Sequence, residues 1–400
     1  MIINMKYFFV LGNNPSLSIS ELNSLLNLSK AKLLSDNFLV ADLDLEFNPS
    51  ELIKKLGGII KIGLIRYENI NNFSNILDNS LELIIKKKDL CPEGKFNFGI
   101  SNYNFPNLNK KDLGLKIKKQ LKEKNINSRL VVSSEKTLSS VVITQNKLIK
   151  KGIELVISKN DEGIIIGETL SVQPFKDLSK RDFGRPARDD HSGMLPPKLA
   201  MTMINIASQG INNLSILDPF CGSGTILGES ALMGFKNIYG SDISKKAIDD
   251  RFENINWIKD RYDIKNLNLK LKVKSAEKLS QFIKAKSIDI IVTEPYLGPQ
   301  RGMINFKETI DNLEKLYSRA INEFSKILKD NGRVVMVWPS FYGQKPINPN
   351  YQGFKIISAL PNSLKDNKLL KTNNRNTILY GRQGQKVYRE IVILEKIKTS

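Results

Sequence analysis

The stretch SILDPFCGSGTILGESALMGFKNIYGSDIS, residues 215 to 244, decides how the rest of the chain is read. The apolar run Leu214 to Leu217 predicts a buried strand that ends on Asp218, and Gly222 and Gly224 mark a turn. A helix of about ten residues follows, then a second strand from Asn237 to Gly240 that runs out at Asp242. This is one βαβ unit with a carboxylate at the end of each strand. Open parallel sheets bind ligands outside the carboxyl ends of their strands, and glycines in the first βα turn let backbone approach a nucleotide closely. The segment predicts a nucleoside pocket.

What the turn lacks narrows the nucleoside. There is no Lys-Ser/Thr pair for phosphates and Mg²⁺, and G-x-G without a third glycine two residues on is not the dinucleotide fingerprint. Asp242 can accept hydrogen bonds from both ribose hydroxyls. Asp218 would repel a phosphate and suits a cationic ligand, such as the amino-acid end of S-adenosylmethionine. DPFCGSGT followed by an acidic residue 17 positions later resembles motifs I and II of class I S-adenosylmethionine-dependent methyltransferases, in the form that RNA methylases use. The resemblance implies cofactor contacts from Asp218, Phe220, Gly222, Gly224, Thr225 and Asp242, with Glu277 toward the adenine side.

Composition sets bounds around this motif. The 400 residues allow two or three domains, and 41% hydrophobic content is ample for real cores. No apolar stretch reaches the roughly 20 residues of a membrane span, and MIINMKYFFVLGNNP reads as strand and turn rather than a secretion leader. Cys91 and Cys221 make no disulfide framework, so the expected compartment is the reducing cytoplasm. His191, the single histidine, cannot build a His-rich metal site, and no metal is expected. The net charge of +20 favours a polyanionic partner. Two tracts concentrate it. Residues 110–124 hold Lys110, Lys111, Lys116, Lys118, Lys119, Lys122 and Lys124 against Asp112 and Glu123, a local +5; residues 365–389 hold seven cations against Asp366, a local +6.

Taken in order, residues 5–67 predict a strand (Met5 to Leu11), a helix (Ile19 to Leu26) capped by Ser18, a strand (Phe38 to Leu43), a helix from Pro49 capped by Asn48, and a strand (Gly58 to Tyr67). Short alternating elements of this kind suggest a ferredoxin-like α+β unit over residues 1–70. Residues 71–172 predict a second α/β unit, which contains the basic helix Leu108 to Lys124 and a hairpin at Asn160-Asp161-Glu162-Gly163. Its lysine helix and its position resemble the THUMP module of RNA-modifying enzymes. From Gln173 an irregular basic linker is expected over 173–190, and Pro196-Pro197 then opens a helix to Ala207 within a catalytic domain of residues 191–400. The run RPAR followed by MLPPKLA resembles the THUMP-containing tRNA guanine-N2 methyltransferases.

The strand Ile288 to Val292 feeds TEPYLGPQRG, residues 293 to 302. Amino-methyltransferases carry D/N/S-P-P-Y/F/W at the corresponding loop. An exocyclic amine has its lone pair delocalised into the base, so preorganised acceptors must take its N–H bonds and aim the pair at the methyl group. An aromatic ring can stack on a base flipped out of its helix. Here Pro295 and Tyr296 match, Thr293 stands at the first position, and Glu294 replaces the first proline while supplying a carboxylate. No cysteine lies in the loop for the covalent route to a pyrimidine carbon.

The fold expected is α/β: a Rossmann-like seven-stranded class I methyltransferase sheet behind an N-terminal α+β ferredoxin-like and THUMP-like region. The family resemblance implies methyl transfer to the N2 amine of a tRNA guanosine, commonly nucleotide 10. Thr293, Glu294, Pro295 and Tyr296 would meet the base, and Lys110, Lys111, Lys116, Lys119, Lys122, Arg185 and Arg188 would meet the RNA. On a small protein activator the residues are silent. A ribosomal-RNA guanine-N2 or an adenine-N6 methyltransferase shares the same loop, and a non-catalytic RNA-binding protein is the alternative of another class.

Overall fold

Tyr7 to Leu11 are buried without a break, as a strand covered on both faces requires, and strand β1 (Met5–Leu11) accordingly lies inside its sheet. The computed structural model describes residues 5–44, 47–91, 94–187, 194–299 and 305–398. The chain forms two compact units, one of residues 1–15, 27–175 and 362–369, the other of residues 16–26, 176–361 and 370–400.

After β1 come α1 (Pro15–Leu25), β2 (Ala31–Ser35), β3 (Phe38–Leu43), α2 (Pro49–Lys55), β4 (Ile59–Ile70), α3 (Phe73–Asp89), β5 (Phe96–Tyr103), α4 (Lys110–Glu123), β6 (Ser128–Val131), α5 (Ser140–Gln145), β7 (Gly152–Asn160) and β8 (Gly163–Val172). Among the described residues, the strands of the first unit make one eight-stranded sheet in the order β2-β3-β1-β4-β8-β7-β5-β6. Residues on both sides of position 70 therefore share a sheet, joined where β4 pairs antiparallel with β8. A buried polar network crosses that seam. Glu154 on β7 is fully buried and accepts from Lys61 Nζ at 2.6 Å, from the Ser101 hydroxyl, and from the Thr169 hydroxyl at 2.5 Å. Removing one partner from such a set leaves an uncompensated charge in low dielectric.

The second unit continues with α6 (Phe175–Phe183), α7 (Pro197–Ser208), β9 (Ser215–Asp218), α8 (Thr225–Leu232), β10 (Asn237–Asp242), α9 (Lys245–Tyr262), β11 (Asn268–Val273), a 3₁₀ turn (Ala276–Gln281), β12 (Ile288–Thr293), α10 (Phe306–Ile327), β13 (Leu328–Phe341), β14 (Lys345–Pro346), β15 (Phe354–Ile356), β16 (Ile378–Tyr380) and β17 (Val387–Lys396). Seven of its strands run in the order β11-β10-β9-β12-β13-β17-β15, and the short β14 and β16 pair with β13 and β17. From β11 to β13 the pairing is parallel, whereas β17 returns antiparallel to β13. The chain leaves β9 toward β10 on one side and comes back to β12 on the other, which makes β9 the switch point. Val334 to Trp338, fully buried, fill the middle of this sheet. No helix among the described residues is long and apolar enough to cross a membrane.

Two local readings change. The first helix begins at Pro15, so Ser18 is a buried residue inside it rather than its cap; Leu17 joins the core of the second unit and Glu21 accepts from Asn205 Nδ2 at 2.7 Å. The basic linker contains helix α6, where Asp177 sits in the first turn, Lys180 and Arg181 in the last, and Leu178 is buried. Asp330, Asn331 and Gly332 form a bulge within β13, where the pairing partner jumps from Leu328 to Arg333 and Asn331 takes φ 60°.

Candidate active site

Parallel pairing brings the carboxyl ends of β9, β10 and β12 side by side, and with them Asp218, Asp242 and Thr293. Asp242 organises the turn. Its Oδ2 accepts the Gly222 N–H at 3.0 Å and its Oδ1 the Ser244 N–H at 3.0 Å, while Cys221 donates both its N–H (3.1 Å) and its thiol (2.8 Å) to the Ser241 carbonyl. Gly222 has φ 39°, and a Cβ built on it would meet nothing within 4 Å, so this backbone faces open space as a ligand cradle needs. Gly224 is held to glycine twice over: its φ is 84°, and a Cβ there would lie 2.5 Å from Arg251 Cγ. Arg251, fully buried on α9, donates from Nε (3.2 Å) and Nη2 (3.0 Å) to the Gly222 carbonyl. Sequence reasoning missed it, because one arginine in an amphipathic helix carries no mark of pointing inward. The cofactor contacts assigned to Gly222, Gly224, Asp218 and Asp242 converge on this turn, with half-buried Phe220 beside them.

Thr225 and Arg185 meet, but not at the surface. Arg185 is 6% exposed; its Nη1 donates to Thr225 Oγ1 at 2.6 Å and its Nε to the Arg181 carbonyl at 2.7 Å. Arg181 in turn pairs with buried Glu229 on α8. Burial pushes the Glu229 carboxyl up to about 7, against the pull of Arg181 and Arg185. Arg185 is thus a strut between α6 and the first turn of α8 and not an RNA contact. Arg188 lies outside the described residues. Glu277 donates its N–H to Ser275 Oγ (3.2 Å) and pairs with Arg319 at 3.2 Å.

Asp218 is 2% exposed and accepts from the Thr293 hydroxyl at 2.7 Å and from the Phe220 N–H at 3.2 Å. Burial nevertheless raises its carboxyl to about 7 from 3.8, with Thr293, Phe220 and Arg251 opposing. The native group holds its proton more tightly than the unfolded chain does between those two values, so its burial lowers stability as pH rises from about 4 to about 7. A cationic ligand needs the ionised form. Affinity for such a ligand is expected to fall about tenfold per unit as pH drops below 7, measured by calorimetry from pH 5.5 to 8; a flat profile would remove Asp218 from the ligand's charged end.

In the reacting loop, Thr293 is fully buried and its proton is committed to Asp218. Glu294 turns the other way. Its side chain is 12% exposed, and Oε1 accepts from Arg389 Nε of β17 at 2.5 Å. Pro295 is buried, Tyr296 is 62% exposed, and the Tyr296 carbonyl is tied down by the Tyr317 hydroxyl at 3.2 Å. Gln300, Arg301 and Gly302 lie outside the described residues. A buried threonine, a largely buried carboxylate and an exposed ring thus follow one another at the carboxyl end of β12, beside the switch point.

Of the lysines on α4, Lys111, Lys116, Lys118, Lys119 and Lys122 are exposed. Lys116 pairs with Asp112 at 2.9 Å and lies over the Phe73 ring. Lys110 bends inward, donating to the carbonyls of Ser133 (3.1 Å) and Glu135, and burial lowers its pKa. Lys110 and Lys111 line a concavity of about 310 Å³ with Leu130 and Val132. In the second basic tract, Arg375 pairs with buried Glu390 and stacks on Trp338, and Arg389 holds Glu294.

A parallel sheet with its switch point at β9, a carboxylate at the ends of β9 and β10 and the loop after β12 beside them is the architecture of a class I methyltransferase domain. A family model described as RMKL-like, methyltransferase domain, matches residues 185–341, and one described as DNA methylase matches residues 64–253. A probable tRNA (guanine(10)-N2)-dimethyltransferase of Methanothermococcus thermolithotrophicus is 30% identical over 34% of this chain and 77% of its own length. The chain belongs to the family of tRNA (guanine(10)-N2)-dimethyltransferases. The relative from Methanocaldococcus jannaschii is 24% identical over 74% of this chain and 80% of its own length. The relative from Pyrococcus abyssi is 30% identical, but the match spans 44% of this chain and only about half, 46%, of that protein. The crystal structure of TrmN from Thermus thermophilus shares the fold across 98% of this chain and 100% of its own, with a TM-score of 0.53 at 17% identity.

Proposed function

We propose that this chain transfers methyl from S-adenosylmethionine to the N2 amine of a guanosine in tRNA, nucleotide 10 being the position named for its relatives. The observation that carries the reading is the 2.7 Å hydrogen bond from Thr293 to Asp218, which ties the reacting loop to the cofactor turn. Asp242 would accept from the ribose hydroxyls, Asp218 would face the cationic amino-acid end, and the open Gly222 backbone would border the ligand. The bound cofactor supplies an electrophilic methyl group. Thr293, closed off from solvent, sets the position of the loop. Glu294 accepts an N–H of the target amine through its second oxygen, and Tyr296 stacks on the flipped base. No step calls for a metal.

In the same reading residues 71–172 serve as a THUMP-like RNA-binding region beside a ferredoxin-like one, and the enzyme works in the cytoplasm, in keeping with its two free cysteines. Methylation of bulk tRNA followed by nucleoside analysis tests the proposal: N2-methylguanosine is expected. N6-methyladenosine, or transfer to ribosomal RNA alone, would replace it with the neighbouring enzyme class, and cofactor binding without any transfer would favour a pure RNA binder. Changing Lys116, Lys119 and Lys122 to glutamine is expected to weaken tRNA binding and to reduce the slope of log affinity against log salt by up to about 3. An unaltered slope would mean that α4 faces solvent rather than RNA.

A further inference from the structure

Glu294 is the one carboxylate of the reacting loop, and it does not stand alone. Its Oε1 is held at 2.5 Å by the Arg389 Nε, both side chains lie largely out of solvent, and Glu294 Oε2 makes no hydrogen bond among the described residues. Arg389 belongs to β17, opposite Pro339 of β13 and Tyr380 of β16, so it reaches the loop from rigid, doubly paired strand. We propose that Arg389 is a positioning residue for methyl transfer: it fixes the Glu294 carboxylate in direction and in the ionised state, with the second oxygen turned to the target amine. The inference rests on the function proposed above.

Two physical arguments support it. A glutamate side chain left loose would spend most of its time in rotamers that miss the amine, and a displacement of about 1 Å at a reacting group costs on the order of a hundredfold in rate. A buried carboxyl also tends to keep its proton, and a protonated Glu294 would offer the amine a donor where an acceptor is needed. Burial does push the Glu294 carboxyl up, and Arg389 pulls it back. The other titratable neighbour, Tyr317 on α10, is buried and held well above the usual phenol range by desolvation and by Glu294 itself, so it brings no charge of its own near neutral pH.

The test is a double-mutant cycle on the full chain: Arg389→Met, Arg389→Lys and Glu294→Gln, alone and combined, with kcat, KM and pH profiles on tRNA, total RNA and duplex DNA. Arg389→Met is expected to lower kcat at pH 7 about a hundredfold with little change in KM, and its rate should climb as pH rises, because burial pushes the Glu294 carboxyl up with no Arg389 to oppose it. Arg389→Lys should restore the wild-type pH profile and part of the rate. On the Glu294→Gln background Arg389→Met should cost threefold or less. A wild-type rate and profile in Arg389→Met, or an equal loss with and without Glu294, would overturn the assignment. If Arg389→Met does not fold, Arg389→Gln, which keeps a donor without charge, must show the same shifted profile or the assignment fails. Wild-type enzyme active only on ribosomal RNA or DNA would overturn the tRNA reading and leave the cycle to judge Arg389 on that substrate; no turnover on any of the three would overturn both.

Discussion

Asp242→Ala is expected to raise the dissociation constant for S-adenosylmethionine by about a hundredfold or more while the protein stays folded. Hydrogen bonds to a charged acceptor contribute roughly 1.5 to 3 kcal/mol each, and the carboxylate would offer acceptors to both ribose hydroxyls. A second effect acts in the same direction. The carboxylate also holds the Gly222 and Ser244 N–H groups at 3.0 Å, so its loss lets the turn drift from the shape that borders the ligand. Both N–H groups lie at the open end of β10 and can be rehydrated, which keeps the stability loss near 1 kcal/mol. Calorimetry for affinity and thermal unfolding for stability separate the two quantities. Unchanged affinity would end the ribose assignment.

Glu294→Gln is expected to lower kcat about a hundredfold and to leave both KM values near wild type. A preorganised acceptor at a centre of developing positive charge acts mainly in the transition state and contributes on the order of 3 kcal/mol. Glutamine keeps the length and one acceptor oxygen but loses the charge. The same change strips Arg389 of its counter-ion, and since the pair is largely out of solvent, thermal stability should fall by about 1 to 3 kcal/mol. Rates must therefore be compared well below the unfolding range. Tyr296→Ala should differ in kind. The ring is 62% exposed and packs little of the fold, so its removal should raise the KM for RNA by the loss of a stacking surface of about 1 to 3 kcal/mol and leave stability unchanged. Wild-type turnover in Glu294→Gln would assign the amine to a backbone carbonyl.

The methyltransferase half was legible because its signals are local. A strand ending in aspartate, a glycine turn and a second acidic strand end name both the ligand type and the switch point, and β9, α8 and β10 stand where that pattern puts them. What escaped sequence reasoning was every long-range pairing of charge. Arg181, Arg185 and Arg389 look, in one dimension, like the lysines of α4: cations in basic tracts. Only packing distinguishes those whose guanidinium finds Glu229, Thr225 or Glu294 in the interior from those left to water. Helix α6 is hidden because Lys176, Lys180 and Arg181 give residues 173–190 the composition of a basic linker, while Leu178 is the one apolar residue that the helix buries. The ends of elements were safer where a cap marks them, as at Asn48, which accepts from Ser50 and Glu51.

The seam between β4 and β8 bears on how this protein could have been assembled. β8 is a ten-residue run, GIIIGETLSV, most of it buried, and from Ile164 to Val172 its backbone pairs with β4. A gene encoding residues 71–172 alone would make a protein with that row of backbone groups bare on an apolar edge, the kind of edge that recruits strands from other molecules. It would also strand Glu154 without Lys61. A break at residue 70 thus parts two regions that complete one sheet, and each is expected to be less soluble alone than the two are together.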